Sequence, residues 1–110
     1  MAQYDFDVTL ESAVALLERH RGLFRKAYLF GSVARDDADE HSDADVILVR
    51  NSDKDFFHRV TEVMDLVEAF GSIDLLIYTP DEFVRMQAEG GFVTSVTREA
   101  VVVEGQQEGG

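Results

Sequence analysis

Two aspartates separated by a single residue, Asp43 and Asp45, stand at the start of an apolar run that continues to Val49. Residues i and i+2 of a β-strand lie on the same face, about 7 Å apart, so this spacing places the two carboxylates side by side. Two neighbouring negative charges repel each other unless a proton or a cation lies between them. Because carboxylate oxygens are hard ligands, the pair predicts a site for a divalent cation such as Mg²⁺, Mn²⁺ or Ca²⁺.

A third aspartate, Asp74, interrupts the otherwise apolar run from Ile73 to Tyr78. A charged side chain within a buried strand costs free energy unless it is paired or bound to a cation. Asp74 therefore either joins the other two carboxylates or lies at a strand end and faces water. The residues alone leave both interpretations open.

Gly31 and Ser32 follow a short apolar run, residues 27–30, that has the length and composition of a strand. A glycine lets the backbone approach a ligand closely, and the N–H groups that follow it at the start of a helix can receive an anion. A Gly-Ser pair is also common in turns, and taken alone it favours a turn. The aspartates downstream reverse this weighting and favour a phosphate site. Arg35 can contact a phosphate or a partner protein, or form a surface ion pair of small energetic value.

The pattern of Gly31-Ser32, ten further residues and then Asp43-Ala44-Asp45 resembles the signature of the DNA polymerase β-like nucleotidyltransferase superfamily. In its fuller form, GSVAR at 31–35 and SDAD at 42–45, it is similar to the minimal nucleotidyltransferases. These small proteins are often encoded beside a helical HEPN-domain partner in toxin–antitoxin pairs. The chain departs from that family at Asp36, where the minimal nucleotidyltransferases usually carry glycine.

This resemblance implies a metal-dependent enzyme that transfers a nucleotidyl group, AMP in the favoured case, from a nucleoside triphosphate such as ATP. The implied cofactors are two Mg²⁺ ions, or Mn²⁺ in their place. The implied catalytic and metal-binding residues are Asp43, Asp45 and Asp74. The residues implied to hold the phosphates of the nucleotide are Gly31, Ser32 and Arg35.

The acceptor of the nucleotidyl group is expected to be a separate macromolecule, because 110 residues leave no room for the added domain that holds the acceptor in larger relatives. The resemblance implies a HEPN-type toxin, modified on a tyrosine by AMP and thereby silenced. A second hypothesis is a non-catalytic antitoxin, a binding module that neutralises its HEPN partner by contact. Transfer to a small molecule such as an aminoglycoside is a third, and the missing acceptor-domain length counts against it.

The charge balance limits the classes of partner. The chain has 10 Lys and Arg residues against 22 Asp and Glu residues, a formal net charge of −12. Such acidity argues against direct binding to a nucleic-acid backbone, which requires a basic surface. The absence of cysteine excludes disulfides and thiolate metal sites. No apolar run approaches the roughly 20 residues of a membrane helix, and no signal-peptide pattern is present, so we expect a cytoplasmic protein.

The elements that must position these residues are predicted to form one small α/β domain, residues 1–104, with a short lead-in at 1–8 and a disordered polar tail at 105–110. Apolar spacing and breaker residues predict helices over 10–21, 33–36, 54–70, 80–89 and 92–98, and strands over 27–30, 44–49, 73–78 and 101–103. We expect a mixed, twisted sheet of the polymerase β-like nucleotidyltransferase type, with helices on one face and the site on the open side. An open face would also allow two copies to associate. His41, two positions before Asp43, is the one histidine near enough in sequence to approach the site, although a role for it there is the less favoured interpretation.

Overall fold

The computed structural model of the protein describes residues 9–35 and 43–107. The predicted lead-in at 1–8 and the acidic loop at 36–42, which contains His41, lie outside the described residues. The helices are α1 Leu10–Arg19, α2 Gly31–Ala34, α3 Met64–Phe70, α4 Pro80–Glu89 and α5 Phe92–Glu99. The strands are β1 Lys26–Phe30, β2 Ala44–Val49, β3 Ile73–Tyr78 and β4 Val101–Glu104. Each strand predicted from the sequence is present, and so is each predicted helix except the one over 54–70, with bounds that shift by a few residues.

Helices α1 and α4 begin at side-chain caps that the sequence encodes locally. The Thr9 side chain accepts a hydrogen bond from the backbone N–H of Ser12, and the Ser12 side chain accepts one from the N–H of Thr9. Thr79 and Glu82 form the same reciprocal pair at the start of α4, where Pro80 is the first helical residue. Such caps satisfy N–H groups that have no partner within the helix, which fixes where each helix begins.

The sheet has the strand order β3-β2-β1-β4. Strand β1 is antiparallel to both of its neighbours, whereas β2 and β3 run parallel. Because β2 and β3 start at the same edge of the sheet, Asp45 lies beside Asp74 in their register. On its other side Asp45 lies beside Phe30, the last residue of β1.

Helices cover both faces of this sheet. The side chains of Val46 and Leu48 belong to a core formed with α1, α2 and α3, and those of Ile47 and Val49 belong to a second core formed with α4 and α5. The predicted mixed α/β class is confirmed, but the expected restriction of the helices to one face is corrected. Strand β2 is apolar at both alternating sets of positions, and such a strand requires cover on both sides.

The long helix predicted over 54–70 is divided into two segments. The first, Phe56–Val63, is a 3-10 helix, and the second is α3. They meet at Val63, whose φ of −128° and ψ of 30° are not helical. Several residues of the first segment are β-branched, and such side chains lose rotamer freedom in an α-helix. Of the apolar side chains expected to form the buried stripe of this helix, Val63 and Phe70 are buried, whereas Phe57 and Met64 are exposed.

The chain after β4 is held by hydrogen bonds through Gln107, which corrects the disorder predicted for residues 105–107. The N–H of Gly105 donates to the carbonyl of Arg25 (2.8 Å), and the N–H of Gln107 donates to that of Phe24 (3.0 Å). A Cβ atom built at Gly105 would overlap the Phe24 carbonyl oxygen, so this close approach requires glycine. Residues 108–110 lie outside the described part.

None of the helices within residues 9–35 and 43–107 has the length and apolar character that a membrane span requires.

Candidate active site

Asp45 and Asp74 meet at the edge where β2 and β3 start. Their Cα atoms are partners in the parallel register, and their carboxyl groups lie within hydrogen-bonding reach of each other. Asp45 is half-buried and Asp74 is exposed. Asp74 therefore combines the two arrangements that the sequence left open. It lies near a strand end and faces water, and it also contacts Asp45.

The surroundings of Asp45 oppose its negative charge. Burial raises the pKa of its carboxyl group above the usual value, and the charge and hydrogen bond of Asp74 raise this pKa further. The charge of Asp43 acts in the same direction, whereas the positive charge of Arg35 lowers the pKa. Like charges held this close favour a shared proton or a bound cation. The electrostatic conflict inferred from the Asp-x-Asp spacing is thus present, and Asp74 is a larger contributor to it than Asp43.

The bend at Gly31 closes another side of Asp45. Gly31 has a φ of +77°, a backbone conformation that other residues adopt only with strain. A Cβ atom built at this position would overlap Oδ2 of Asp45. Glycine is therefore required both by the backbone and by the space that the carboxylate occupies. The bend and the carboxylates share one site.

Helix α2 follows this bend and carries the two other residues predicted to contact phosphate. Ser32 lies in its first turn, and Phe30, which precedes the helix, offers no side-chain cap to the N–H groups there. Arg35 ends the helix, with its own N–H donating to the carbonyl of Gly31 (3.1 Å). Its effect on the pKa of Asp45 places its charge within electrostatic range of the carboxylates. Gly31, Ser32 and Arg35 are thus gathered on one short element beside Asp45.

Asp43 has a different partner. Its Oδ1 atom accepts a hydrogen bond from the hydroxyl of Ser72, just before β3. Sequence reasoning missed Ser72 because no motif marks it. The signal that would have found it is the parallel register, in which Ala44 pairs with Ile73 and the residues before each strand become neighbours.

The carboxylate oxygens at this site are of the type that binds a divalent cation, but they do not surround a single position. Asp45 and Asp74 offer a carboxylate pair whose repulsion a cation would relieve. Asp43 contributes charge while hydrogen-bonded to Ser72. Within the described residues, no three His, Asp or Glu side chains are grouped so that they could hold a metal ion as placed.

Comparison with known proteins extends the similarity beyond the motif. The family model described as Polymerase beta, Nucleotidyltransferase matches residues 11–108. A Methanocaldococcus jannaschii protein named "Putative protein adenylyltransferase MJ0604" is 32% identical over 89 residues, which cover 81% of this chain and 87% of that protein. The crystal structure of a "putative nucleotidyltransferase" from Sulfolobus solfataricus aligns with 92% of this chain and 90% of its own, at 20% identity and a TM-score of 0.45.

Proposed function

The chain belongs to the polymerase beta nucleotidyltransferase family, and on that premise we propose that it transfers AMP from ATP to a side-chain hydroxyl of a partner protein. The observation that carries this proposal is the contact between Asp45 and Asp74 against the Gly31 bend. This contact places a pair of carboxylates beside a glycine backbone that a phosphate group can approach closely.

A protein acceptor is supported by two further features. The Methanocaldococcus jannaschii relative bears the name of a protein adenylyltransferase, and the similarity covers most of both chains. The net charge of −12 complements a basic partner. Together with the resemblance to the minimal nucleotidyltransferases, these features support a HEPN-domain toxin as the acceptor and an antitoxin role for this chain.

In the proposed reaction, an acceptor hydroxyl oxygen forms a bond to the α-phosphorus of ATP. The bond between that phosphorus and the oxygen bridging to the β-phosphate breaks, pyrophosphate leaves and the hydroxyl proton is released. The protein takes little part in the covalent chemistry of such a transfer, because positioning of the reactants and neutralisation of charge account for most of the lowering of the activation barrier.

The residues of the site divide this work. Gly31 and Ser32 hold the terminal phosphates of the nucleotide, and Arg35 supplies positive charge beside them. Asp74 favours loss of the proton from the incoming hydroxyl. Bound Mg²⁺ or Mn²⁺ supplies the positive charge that stabilises the attacking and leaving oxygens, and the residues that would hold it are Asp43, Asp45 and Asp74.

The proposal is tested by intact-mass measurement after incubation with ATP, Mg²⁺ and the product of a neighbouring HEPN gene. We expect the partner to gain the mass of one AMP, and none when Asp45→Asn replaces the wild-type chain. Asp65→Asn is the matched control, since Asp65 is an exposed aspartate in the first turn of α3 and is not one of the residues assigned to the site. An unmodified partner, with wild-type protein, ATP and Mg²⁺ all present, would contradict the proposal.

One observation favours the second candidate, a non-catalytic binding module. The described carboxylates are not grouped as a three-ligand metal site. A module of this kind would silence its partner by contact, whatever the state of the carboxylates. The double variant Asp43→Asn/Asp45→Asn separates the two functions: an enzyme loses neutralisation of the partner, whereas a binding module retains it in full.

A further inference from the structure

An exposed aromatic side chain lies close to the carboxylates. Phe30 is the register partner of Asp45, so the two side chains share a face of the sheet with Cβ atoms about 5 Å apart. The ring of Phe92 packs edge-on against that of Phe30, with centroids 6.1 Å apart and planes at 81°. Asp45 and the Phe92 ring are therefore both neighbours of Phe30 at this edge of the sheet. A nucleotide whose phosphates bind beside Asp45 would have an aromatic surface on the same side for its base.

Phe92 is not needed to close the core. Its side chain is 52% exposed, whereas Val93 beside it is 1% exposed. One turn further along α5, Val96 packs against the core on this face of the sheet. The helix is therefore anchored by its valines, and the large aromatic ring at its start remains open to solvent.

The backbone conformation before Phe92 determines the position of its ring. Gly90 and Gly91 have φ values of +78° and +87°, a region that other residues rarely adopt. A Cβ atom built at either glycine would meet nothing within 4 Å, so the backbone turn, and not a lack of space, requires glycine. This sharp turn returns the chain to the sheet and sets Phe92 at the first position of α5, against Phe30.

We propose that Phe92, backed by Phe30, is the platform on which the base of the nucleoside triphosphate stacks. The inference rests on the proposed function, because it takes the phosphates to bind beside Gly31 and Asp45. The edge-to-face contact with Phe30 holds the Phe92 ring in place. The exposed half of that ring is then available to a second flat ring.

Stacking on a phenyl ring recognises the π-face that every base has and reads no hydrogen-bond pattern. Phe92 therefore raises the affinity for all four ribonucleoside triphosphates. Its contribution is larger for purines, which offer more ring area, and it does not choose between ATP and GTP.

The test compares ligands that share phosphates but differ in the base. Binding of ATP and of inorganic tripolyphosphate is measured by calorimetry, with Mg²⁺ present, for wild type, Phe92→Ala and Phe92→Tyr. We expect Phe92→Ala to weaken ATP binding about tenfold or more while tripolyphosphate binds as to wild type. Phe92→Tyr keeps an aromatic ring and retains ATP affinity.

A second measurement uses the absence of tryptophan from the sequence. Phe92→Trp introduces a single fluorophore at the platform, and Phe57→Trp introduces one at a more exposed site, since Phe57 is 83% exposed and Phe92 52%. Phe57 lines an apolar groove with Ile73 and Leu75, on the opposite face of the sheet. We expect ATP to quench the tryptophan at position 92 saturably, tripolyphosphate to leave it unchanged, and neither ligand to affect the one at position 57.

The outcomes separate this inference from the proposed function. Equal ATP affinity of Phe92→Ala and wild type, or equal weakening of ATP and tripolyphosphate, overturns the base platform and leaves nucleotidyl transfer standing. Selective loss of ATP affinity without any AMP on the partner supports the platform and contradicts the proposed acceptor. Failure of the wild-type protein to bind ATP overturns both.

Discussion

Asp45 holds a negative charge where burial, Asp74 and Asp43 all oppose it, with Arg35 as a partial counterweight. A protein without a function for this carboxylate would gain stability by neutralising it. Sites that bind cations commonly carry such a cost in the absence of the ligand, because the repulsion is what the ligand relieves.

We expect Asp45→Asn to raise stability while abolishing transfer. At neutral pH we expect the variant to melt at a higher temperature than wild type, because it lacks the charge that burial, Asp74 and Asp43 oppose. Because the folded-state pKa of Asp45 is raised, the carboxylate destabilises the fold only above the unfolded pKa of 3.8, and the gain disappears as the pH falls below that value. Thermal melts of wild type and variant without divalent metal measure it. A variant that melts below wild type at pH 7 would contradict this account of Asp45.

Ser72 is expected to act through Asp43, whose carboxylate it holds by a hydrogen bond. Ser72→Ala removes that bond at an exposed position, so stability changes little. Transfer falls by about tenfold, in the range found when hydrogen-bond partners of metal ligands are removed. Ser72→Thr keeps the hydroxyl and restores the rate. If the rates of Ser72→Ala and wild type are equal at limiting Mg²⁺, Ser72 has no positioning role.

A residue of the site can be predicted from the sequence when it is close in sequence to the residues that it contacts. Asp43, Asp45 and Gly31 lie within one motif, and their closeness follows from strand geometry and a single turn. Asp74 was found from the cost of a charge in an apolar run. Ser72 was not found, because its contact with Asp43 depends on the register of two parallel strands, which no local pattern specifies.

At the scale of secondary-structure elements, the buried side chain of Arg59 connects the 3-10 segment, strand β3 and helix α4. From the 3-10 segment Phe56–Val63, the guanidinium of Arg59 donates to both carboxylate oxygens of Glu82 in α4, at 2.6 and 3.0 Å. It also donates to the carbonyl of Ile77 in β3 (3.0 Å). Because β3 is an edge strand, this contact satisfies a carbonyl that would otherwise be open to another chain.

This junction makes stability depend on pH in the acid range. Arg59 lowers the pKa of Glu82 from 4.5 to about 2. As the pH falls, the unfolded chain binds its proton first, so the stabilisation is complete above pH 4.5 and is lost as the pH approaches about 2. Arg59→Lys cannot form the two-oxygen contact and lowers the free energy of unfolding by about 2 kcal/mol at pH 7.

Urea unfolding at pH 7 and pH 2.5 measures both effects. Arg85→Lys is the matched control, since Arg85 is an exposed residue of the same helix as Glu82. The junction is not stabilising if the two lysine variants have the same free energy of unfolding at pH 7.

The elements themselves were largely predictable, because helix caps, glycine breaks and apolar spacing are local signals. Their arrangement was not. Helices α4 and α5 follow the edge strand β3, and nothing within their own sequences indicates which face of the sheet they cover. The alternation of Ile47 and Val49 with Val46 and Leu48 contained that information, since both sets are apolar.

At the scale of the whole molecule, the C-terminal residues tie the sheet to the loop after β2. The Gln107 amide accepts a hydrogen bond from the N–H of Asn51 (2.8 Å) and donates one to its carbonyl (3.1 Å). Composition alone predicted disorder here, because a Gly- and Gln-rich segment gives no apolar pattern. Hydrogen bonds to distant backbone groups, which composition does not reveal, hold it instead.

Gln107→Ala is expected to lower the free energy of unfolding by about 1–2 kcal/mol, since it leaves two backbone groups of Asn51 without their partners. Gln106→Ala is the control, because Gln106 is exposed and bonds through its backbone N–H to Arg21. Chemical denaturation of both variants measures the difference. Equal stability of the two would show that the Gln107 side chain does not hold the C-terminal segment.

The transfer rate of Asp74→Asn tests the account most directly, because Asp74 lies outside the sequence motif and is joined to it in the structure by its contact with Asp45. Single-turnover modification of the proposed HEPN partner, with ATP and Mg²⁺, is monitored through pyrophosphate release for wild type, Asp74→Asn and Asp65→Asn. We predict that Asp65→Asn matches wild type and that Asp74→Asn is slower by about a hundredfold or more, the usual contribution of a proton-accepting group. An Asp74→Asn rate equal to that of wild type would contradict the account.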